Sequence, residues 1–439
     1  MNNTNLQEII ARVLLLARQG GASSAEAGIG TGSGFMVTAR LGEVETVEHQ
    51  RDKGLNITVY LNRKKGSAST TDFGDAAIQE TVRAACTIAK HTSEDEFAGL
   101  IDPEFIARKI PDLDLHHPWD LTPEAAIELA VACETDARNF DKRITNSEGA
   151  TINTYSGSHY YGNSHDFTGG WDWSSHSIDC AMIAGHDGKM QRDGWYTKKR
   201  DPAELEDIHT LAETAARRAL MRLDSRQLPT LTVPVIYEAP VAGSLFSSLI
   251  NAISGGAQYR KSTFLLDKAG KKIFPDYINI DERPHLKKGP GSAPFDSDGM
   301  ATRERRLVAN GVLQAYILSA YSARKLGLPP TGNAGGVHNL IVETGKQDLA
   351  SLLRSMDKGL LITDLIGFGI NQVTGDYSRG ASGFWVEHGE IQFPVEEITV
   401  AGNLIDMYHQ IIAIGNDVDT RGNIQTGSVL IEKMTVAGN

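Results

Sequence analysis

Between residues 34 and 70, strand-like segments at 34–40, 44–48, 55–60 and 66–70 are separated only by short polar turns. A parallel neighbour needs a crossover of about a dozen residues or more, so an antiparallel sheet is the simplest reading. A helix over residues 6–18 precedes these strands, with Leu6, Ile9, Ile10, Val13 and Leu16 on one stripe and Gly20-Gly21 ending it. A second helix is expected over 76–89. Upstream, Gly28, Gly30, Gly32 and Gly34 alternate in a run that superficially resembles a nucleotide loop. A dinucleotide fingerprint needs a strand before it and a helix after it, whereas Phe35-Met36-Val37-Thr38-Ala39 prefers strand. The glycine run therefore reads as a flexible connection.

Past a Pro- and Asp-rich crossing at 110–118, Thr122 and Pro123 make a capped helix start. Asp201-Pro202-Ala203-Glu204 repeats the device and is expected to open one long helix to about Leu223. Residues 150–195, rich in Gly, Ser, Thr, His and aromatics, read as strands and exposed turns. Composition shifts at 225–229. This divides the chain into an N-terminal α+β region, 1–225, with a subdivision near 110–120, and a β-rich C-terminal region, 226–439.

In the second region Leu231 to Tyr237 is a strand, and Pro234 places it at an edge or near the strand's start. Asn310-Gly311, between 305–309 and 312–318, is a strong hairpin signal because both residues tolerate positive φ. His388-Gly389 marks a second hairpin, between 383–387 and 390–393. Helical islands are expected at 244–253 and 347–356. The fold class is α+β: an N-terminal antiparallel sheet with helices, then a largely antiparallel sheet or barrel with few helices.

At 439 residues the chain exceeds what one core usually serves. No run approaches 18 uninterrupted apolar residues, which argues against a membrane-spanning helix, and the polar start Met1-Asn2-Asn3-Thr4-Asn5 is unlike a secretory signal. The formal charge of −12 argues against a nucleic-acid backbone as main partner. The basic runs Arg63-Lys64-Lys65, Lys198-Lys199-Arg200 and Lys271-Lys272 read as solvated surface. Three cysteines, Cys86, Cys133 and Cys180, give no disulfide framework and suit a reducing cytoplasm.

His159, His165, His176 and His186, with nearby aspartates, form the one suggestive metal-ligand cluster, but their spacing lacks the tight anchors of zinc sites. Trp171, Trp173 and the tyrosines among them look equally like an aromatic surface. No Gly-x-Ser-x-Gly elbow supports a hydrolase triad. Glycine-rich polar stretches at 289–292, 331–336 and 371–383 read either as a peptide groove edged by strands or as tight turns.

Three stretches change this balance. They are Thr302-Arg303-Glu304-Arg305-Arg306-Leu307-Val308-Ala309-Asn310-Gly311, then Pro330-Thr331-Gly332-Asn333, then Val373-Thr374-Gly375-Asp376-Tyr377-Ser378-Arg379-Gly380. With Thr399-Val400-Ala401-Gly402-Asn403 and Ile414-Gly415-Asn416-Asp417 following, the chain resembles the PmbA/TldD family. The short ending Gly427-Ser428-Val429-Leu430 makes it most similar to the PmbA (TldE) branch. The resemblance implies a cytoplasmic, two-subunit metalloprotease acting on peptides or unfolded proteins. In it a TldD-type subunit holds zinc on a His-Glu-x-x-x-His helix and a distant cysteine.

Carried over by residue, Ser247 stands at the first histidine, Ser248 at the glutamate, Ala252 at the second histidine and Thr426 near the cysteine. No imidazole, carboxylate or thiolate remains there to bind metal or activate water. The resemblance therefore implies no catalytic residue, metal or cofactor in this chain, with zinc expected in a TldD-type partner and a homodimer formed in that partner's absence. Ser292, Asn333, Asn371 and Asp376 are candidates for lining the peptide groove. Two other readings stand beside it: a self-contained metal-dependent hydrolase built on the region from His159 to His186, and a non-enzymatic peptide-binding or assembly protein.

Overall fold

The computed structural model describes residues 3–186 and 188–438. The N-terminal half comprises α1 (Asn3–Gln19), β1 (Ser24–Arg40), β2 (Glu43–Leu61), β3 (Lys64–Thr70), α2 (Asp75–His91), α3 (Pro123–Asn139), β4 (Ile144–Asn163), β5 (Phe167–His186), β6 (Lys189–Lys199) and α4 (Ile208–Met221). Its strands form one antiparallel sheet in the order β3-β2-β1-β4-β5-β6.

The sheet is long enough to carry two separate cores. At one end α1 and α2 cover Ala25, Ile29, Leu55 and Ile57; at the other α3 and α4 cover Val37, Ile152, Ile178 and Met182. Two expected elements merge here. Segments 44–48 and 55–60 are a single strand, and its outer half, residues 43–49, is wholly exposed, so no apolar alternation betrays it. The glycine run is not a flexible connection but the middle of β1. A Cβ at Gly34 would sit 2.0 Å from the Thr154 carbonyl oxygen, so glycine there permits close strand approach.

Thr122 caps α3 as expected, its hydroxyl accepting from Ala125 N at 3.2 Å. The helix expected from Asp201 to Leu223 is instead broken. Asp201 caps a single 3-10 turn (Pro202–Glu204), after which Glu206 N donates to Thr197 Oγ1. Asp207 then caps a fresh start, accepting from His209 N and Thr210 N. All three cysteines are buried and free.

The C-terminal half comprises β7 (Leu231–Tyr237), α5 (Ala239–Ala252), α6 (Gly255–Tyr259), β8 (Ile280–Glu282), β9 (Arg305–Ala309), β10 (Val312–Leu313), α7 (Ala320–Leu326) and β11 (Leu340–Val342). It continues with α8 (Leu349–Met356), β12 (Gly359–Ile366), β13 (Asp376–Glu387), β14 (Glu390–Asn403), α9 (Leu404–His409), β15 (Ile411–Ile414), β16 (Ile424–Gln425) and β17 (Val429–Ala437). One sheet runs β10-β9-β8-β11-β16. The other runs β14-β13-β12-β7-β17-β15, and an added β14–β17 pairing curls it into a barrel. Leu245, Phe246 and Leu249 of α5 fill the core between them.

Strand β7 is central rather than at an edge. Pro234 is tolerated because β17 bulges opposite it, between Ile431 and Met434, and parallel pairing with β12 begins only at Val235. The Asn310-Gly311 turn has φ of 48° and 75°, the left-handed pair a tight hairpin needs. Its second strand is shorter than expected and ends at Leu313. The His388-Gly389 hairpin is present with far longer strands. Among the described residues no helix is long and apolar enough to cross a membrane.

Candidate functional site

Helix α5 starts where Ala239 N donates to Ser428 Oγ at 3.0 Å, and it packs against β16, the strand just before Thr426. Along it the Ser247 hydroxyl donates to Gly243 O and the Ser248 hydroxyl to Ser244 O, each at 3.1 Å. Both hydroxyls are thus bonded back onto their own helix. Ala252 is wholly buried, and its carbonyl accepts from Gln258 Nε2 at 2.9 Å and Thr263 Oγ1 at 2.7 Å. Thr426 is buried too, donating to Gly427 O at 3.0 Å. Zinc does not fit this set: two hydroxyls already donating to carbonyls, one methyl group and a threonine offer neither anionic nor imidazole ligands.

The histidine cluster is dispersed along the β4–β5 hairpin. His159 pairs across the strands with Trp171, ring centroids 5.0 Å apart, and burial lowers its pKa. His176 lies opposite Thr154, five residues along β4 from His159, or about 17 Å at strand spacing. Its Nδ1 is 2.9 Å from Thr154 Oγ1 and its Nε2 is 2.8 Å from the His117 carbonyl, while burial again lowers the pKa. His165 occupies the exposed turn; the His186 side chain lies outside the described residues. Among the described residues no three His, Cys, Asp or Glu side chains gather as a metal site.

What the fold does assemble is a cleft of about 1280 Å³ between the two halves. Trp171, Trp173 and His159 line one side, brought to a common face by alternation along β5 and cross-strand pairing with β4. Loops 289–292, 334–338 and 420–423 line the other. A second hollow of about 860 Å³ over Gly28, Gly30 and Gly32 shares His159 and Trp173 with the first. Tyr155 stacks on Trp173 there, with centroids 5.6 Å apart.

The four groove candidates separate. Ser292 lines the cleft and is fixed there, donating to Leu286 O at 2.6 Å and accepting from Asn339 Nδ2 at 2.7 Å. Asn333 lies behind the wall. It donates to Glu282 Oε1 at 2.7 Å and to Gly336 O at 3.0 Å, so it holds the loop whose backbone borders the cleft. Asn371 and Asp376 are not among the residues lining this cleft. They fold their own turn: Asn371 Oδ1 accepts from Val373 N at 3.0 Å, and Asp376 Oδ2 accepts from Thr374 Oγ1 at 2.6 Å.

Two features of the cleft escaped the sequence reading. Lys198-Lys199-Arg200 is not merely solvated surface, since all three residues line the cleft. Arg200 Nε donates to Gly289 O at 3.0 Å and Nη2 to Pro290 O at 2.9 Å, tying the end of β6 to the opposite loop. The alternation of Trp171 and Trp173 beside this basic run was the available signal. Asp296, nearly buried in the wall, accepts from Met300 N and Ala334 N at 2.9 Å each. Burial, reinforced by neighbouring Asp298, pushes its pKa up to about 7. Nothing in the local sequence announces it.

Comparison with known proteins covers the same ground. Residues 25–89 match domain 1, 116–223 the central domain and 230–438 the C-terminal domain of the PmbA/TldA metallopeptidases. The chain is 48% identical to metalloprotease PmbA of Escherichia coli O157:H7 over 99% of its length and 96% of that protein's. In structure it resembles a putative modulator of DNA gyrase from Bacteroides thetaiotaomicron, with TM-score 0.94, 27% identity and all of both chains covered. It shares the fold of TldE from Thermococcus kodakarensis, with TM-score 0.85 and 20% identity over 98% of this chain and all of that one. Matches that span both halves, together with the absence of a metal-ligand cluster among the described residues, lead to one conclusion: the chain belongs to the PmbA/TldD family, on its PmbA side.

Proposed function

We propose that this chain is the noncatalytic, substrate-positioning subunit of a two-subunit metalloprotease whose TldD-type subunit carries the zinc. The observation behind this reading is α5, where Ser247 and Ser248 bond to their own helix and Ala252 faces the core. Zinc bound in the partner would supply Lewis-acid chemistry toward the scissile carbonyl and water. This chain contributes a cleft in which an extended peptide lies along glycine-bearing loops, with Trp171 and Trp173 against its side chains. Ser292 and the loop held by Asn333 form one wall, whereas Asn371 and Asp376 shape a barrel turn that does not line it. The complex works in the cytoplasm, and the isolated chain pairs with itself.

Metal analysis tests the assignment. The chain purified alone, equilibrated with zinc and desalted, retains no stoichiometric metal, whereas its complex with a TldD-type subunit retains the partner's zinc. One tightly held zinc in the isolated chain, lost on changing a histidine of the region from His159 to His186 to alanine, would instead support the self-contained hydrolase.

A further inference from the structure

Nine Asp, Glu, Lys and Arg side chains line the cleft between the halves, and six of them are basic, in a chain whose formal charge is −12. Three of the six are already committed. Arg200 donates to carbonyls, Lys288 pairs with Asp201 and Glu204 at 2.6 and 2.8 Å, and Arg421 pairs with Asp419 at 2.7 Å while lying over the Trp195 and Tyr196 rings. The other three differ. Lys199 Nζ donates to Thr420 Oγ1 at 3.3 Å, and among the described residues Lys198, Lys199 and Lys287 make no direct ion pair, although Asp179 and Asp419 lie close enough to feel the charges of Lys198 and Lys199. Cations held in no direct ion pair in a concave, partly walled space concentrate anionic ligands, although the rest of the chain repels them.

From this we infer that the cleft selects acidic peptides, seating Asp or Glu side chains of the substrate on Lys199 and Lys287, with Lys198 beside them. This rests on the reading that the cleft receives peptide, and it names the class of peptide. A nucleic-acid strand fits less well. Asp114, Glu204 and Asp296 interrupt the basic lining, so a continuous run of phosphates would meet carboxylates, whereas a peptide places its charges discretely. The loops that carry Gly289, Gly291, Gly335 and Gly422 let a peptide backbone come close, and the Trp171–Trp173 shelf takes the apolar residues between its charges.

The test uses the complex with a TldD-type subunit and two unstructured fluorogenic peptides of one length, one carrying aspartates where the other carries lysines. The wild-type complex is expected to prefer the acidic peptide by about five- to tenfold in kcat/KM, expressed in KM and weakening with salt. The double variant Lys199→Glu, Lys287→Glu should lose or invert that preference. Lys142→Glu, away from the cleft, should keep it. Anisotropy of the acidic peptide on the isolated chain reads binding without cleavage, and an unchanged circular dichroism spectrum of the double variant secures its fold. Equal KM for the two peptides, or a preference indifferent to the double variant, overturns the inference yet leaves the subunit assignment standing. Displacement of the acidic peptide by an equimolar oligoribonucleotide overturns it in favour of nucleic acid. Cleavage of both peptides by the partner alone, as fast as by the complex, removes the subunit assignment itself.

Discussion

Glu282 and Arg305 form a buried ion pair, with Arg305 Nε donating to Glu282 Oε2 at 2.7 Å and side-chain exposures of only 2% and 13%. The second carboxylate oxygen accepts from Asn333 Nδ2 at 2.7 Å and from His338 N at 2.9 Å. One side chain thus joins β8, β9 and the loop that borders the cleft. Glu282→Gln leaves Arg305 without its counter-charge, which costs about 3–5 kcal/mol. Urea denaturation should show this loss; a change below about 1 kcal/mol would mean that the pair does not organise the loop.

The β9–β10 turn gives a local test of the fold. Asn310 has φ of 48°, and its N–H donates to Asn279 Oδ1 at 2.9 Å. Proline can satisfy neither requirement, so Asn310→Pro should destabilise by about 3 kcal/mol or more, whereas Asn310→Gly should stay within about 1 kcal/mol of wild type. Thermal melts that leave Asn310→Pro unchanged would contradict the turn.

Asp296 makes stability depend on pH with a definite sign. Its folded-state pKa, about 7, stands above the ordinary 3.8, and burial also raises those of Asp298 and Glu26. Across the window from about pH 4 to about 7, these three carboxyls bind more protons in the native state than in the unfolded chain, whereas His159 and His176, with lowered pKa values, bind fewer. The stability that these carboxyls contribute therefore falls as pH rises through that window and levels off above it. Asp296→Asn should flatten a large part of the slope in denaturation midpoints taken at pH 5 and pH 8. A difference in midpoint between wild type and Asp296→Asn that is the same at pH 5 and pH 8 would contradict the assignment.

The fold was legible wherever local chemistry dictated one outcome. Asn310-Gly311 demanded a tight turn, Thr122-Pro123 a helix start, and Leu6 to Leu16 one buried stripe. It was illegible where a partner element decides. Gly34 looks like flexibility until Thr154 is seen pressed against it, and Pro234 looks like an edge until the bulge in β17 appears opposite. Asp207 could not be preferred over Asp201 as the lasting cap without knowing that Thr197 holds Glu206 N. At the site, Ser247, Ser248 and Ala252 were singled out only through the family resemblance, since nothing local marks them. The cleft was not, because it forms between β5, β6 and loops more than 80 residues further on. The raised pKa of Asp296 likewise depends on burial that no local pattern encodes.

The most direct measurement of the central claim is cleavage of one unfolded peptide by three preparations: this chain alone, a TldD-type subunit alone, and the two mixed. On the proposed function, a TldD-type subunit brings the metal ligands and base, and this chain brings the cleft that orients the scissile bond. The account predicts no turnover by this chain with or without added zinc, weak turnover by the partner, and robust, chelator-sensitive turnover by the mixture. Zinc-dependent cleavage by this chain alone, abolished by His159→Ala or His176→Ala in a folded variant, would contradict it.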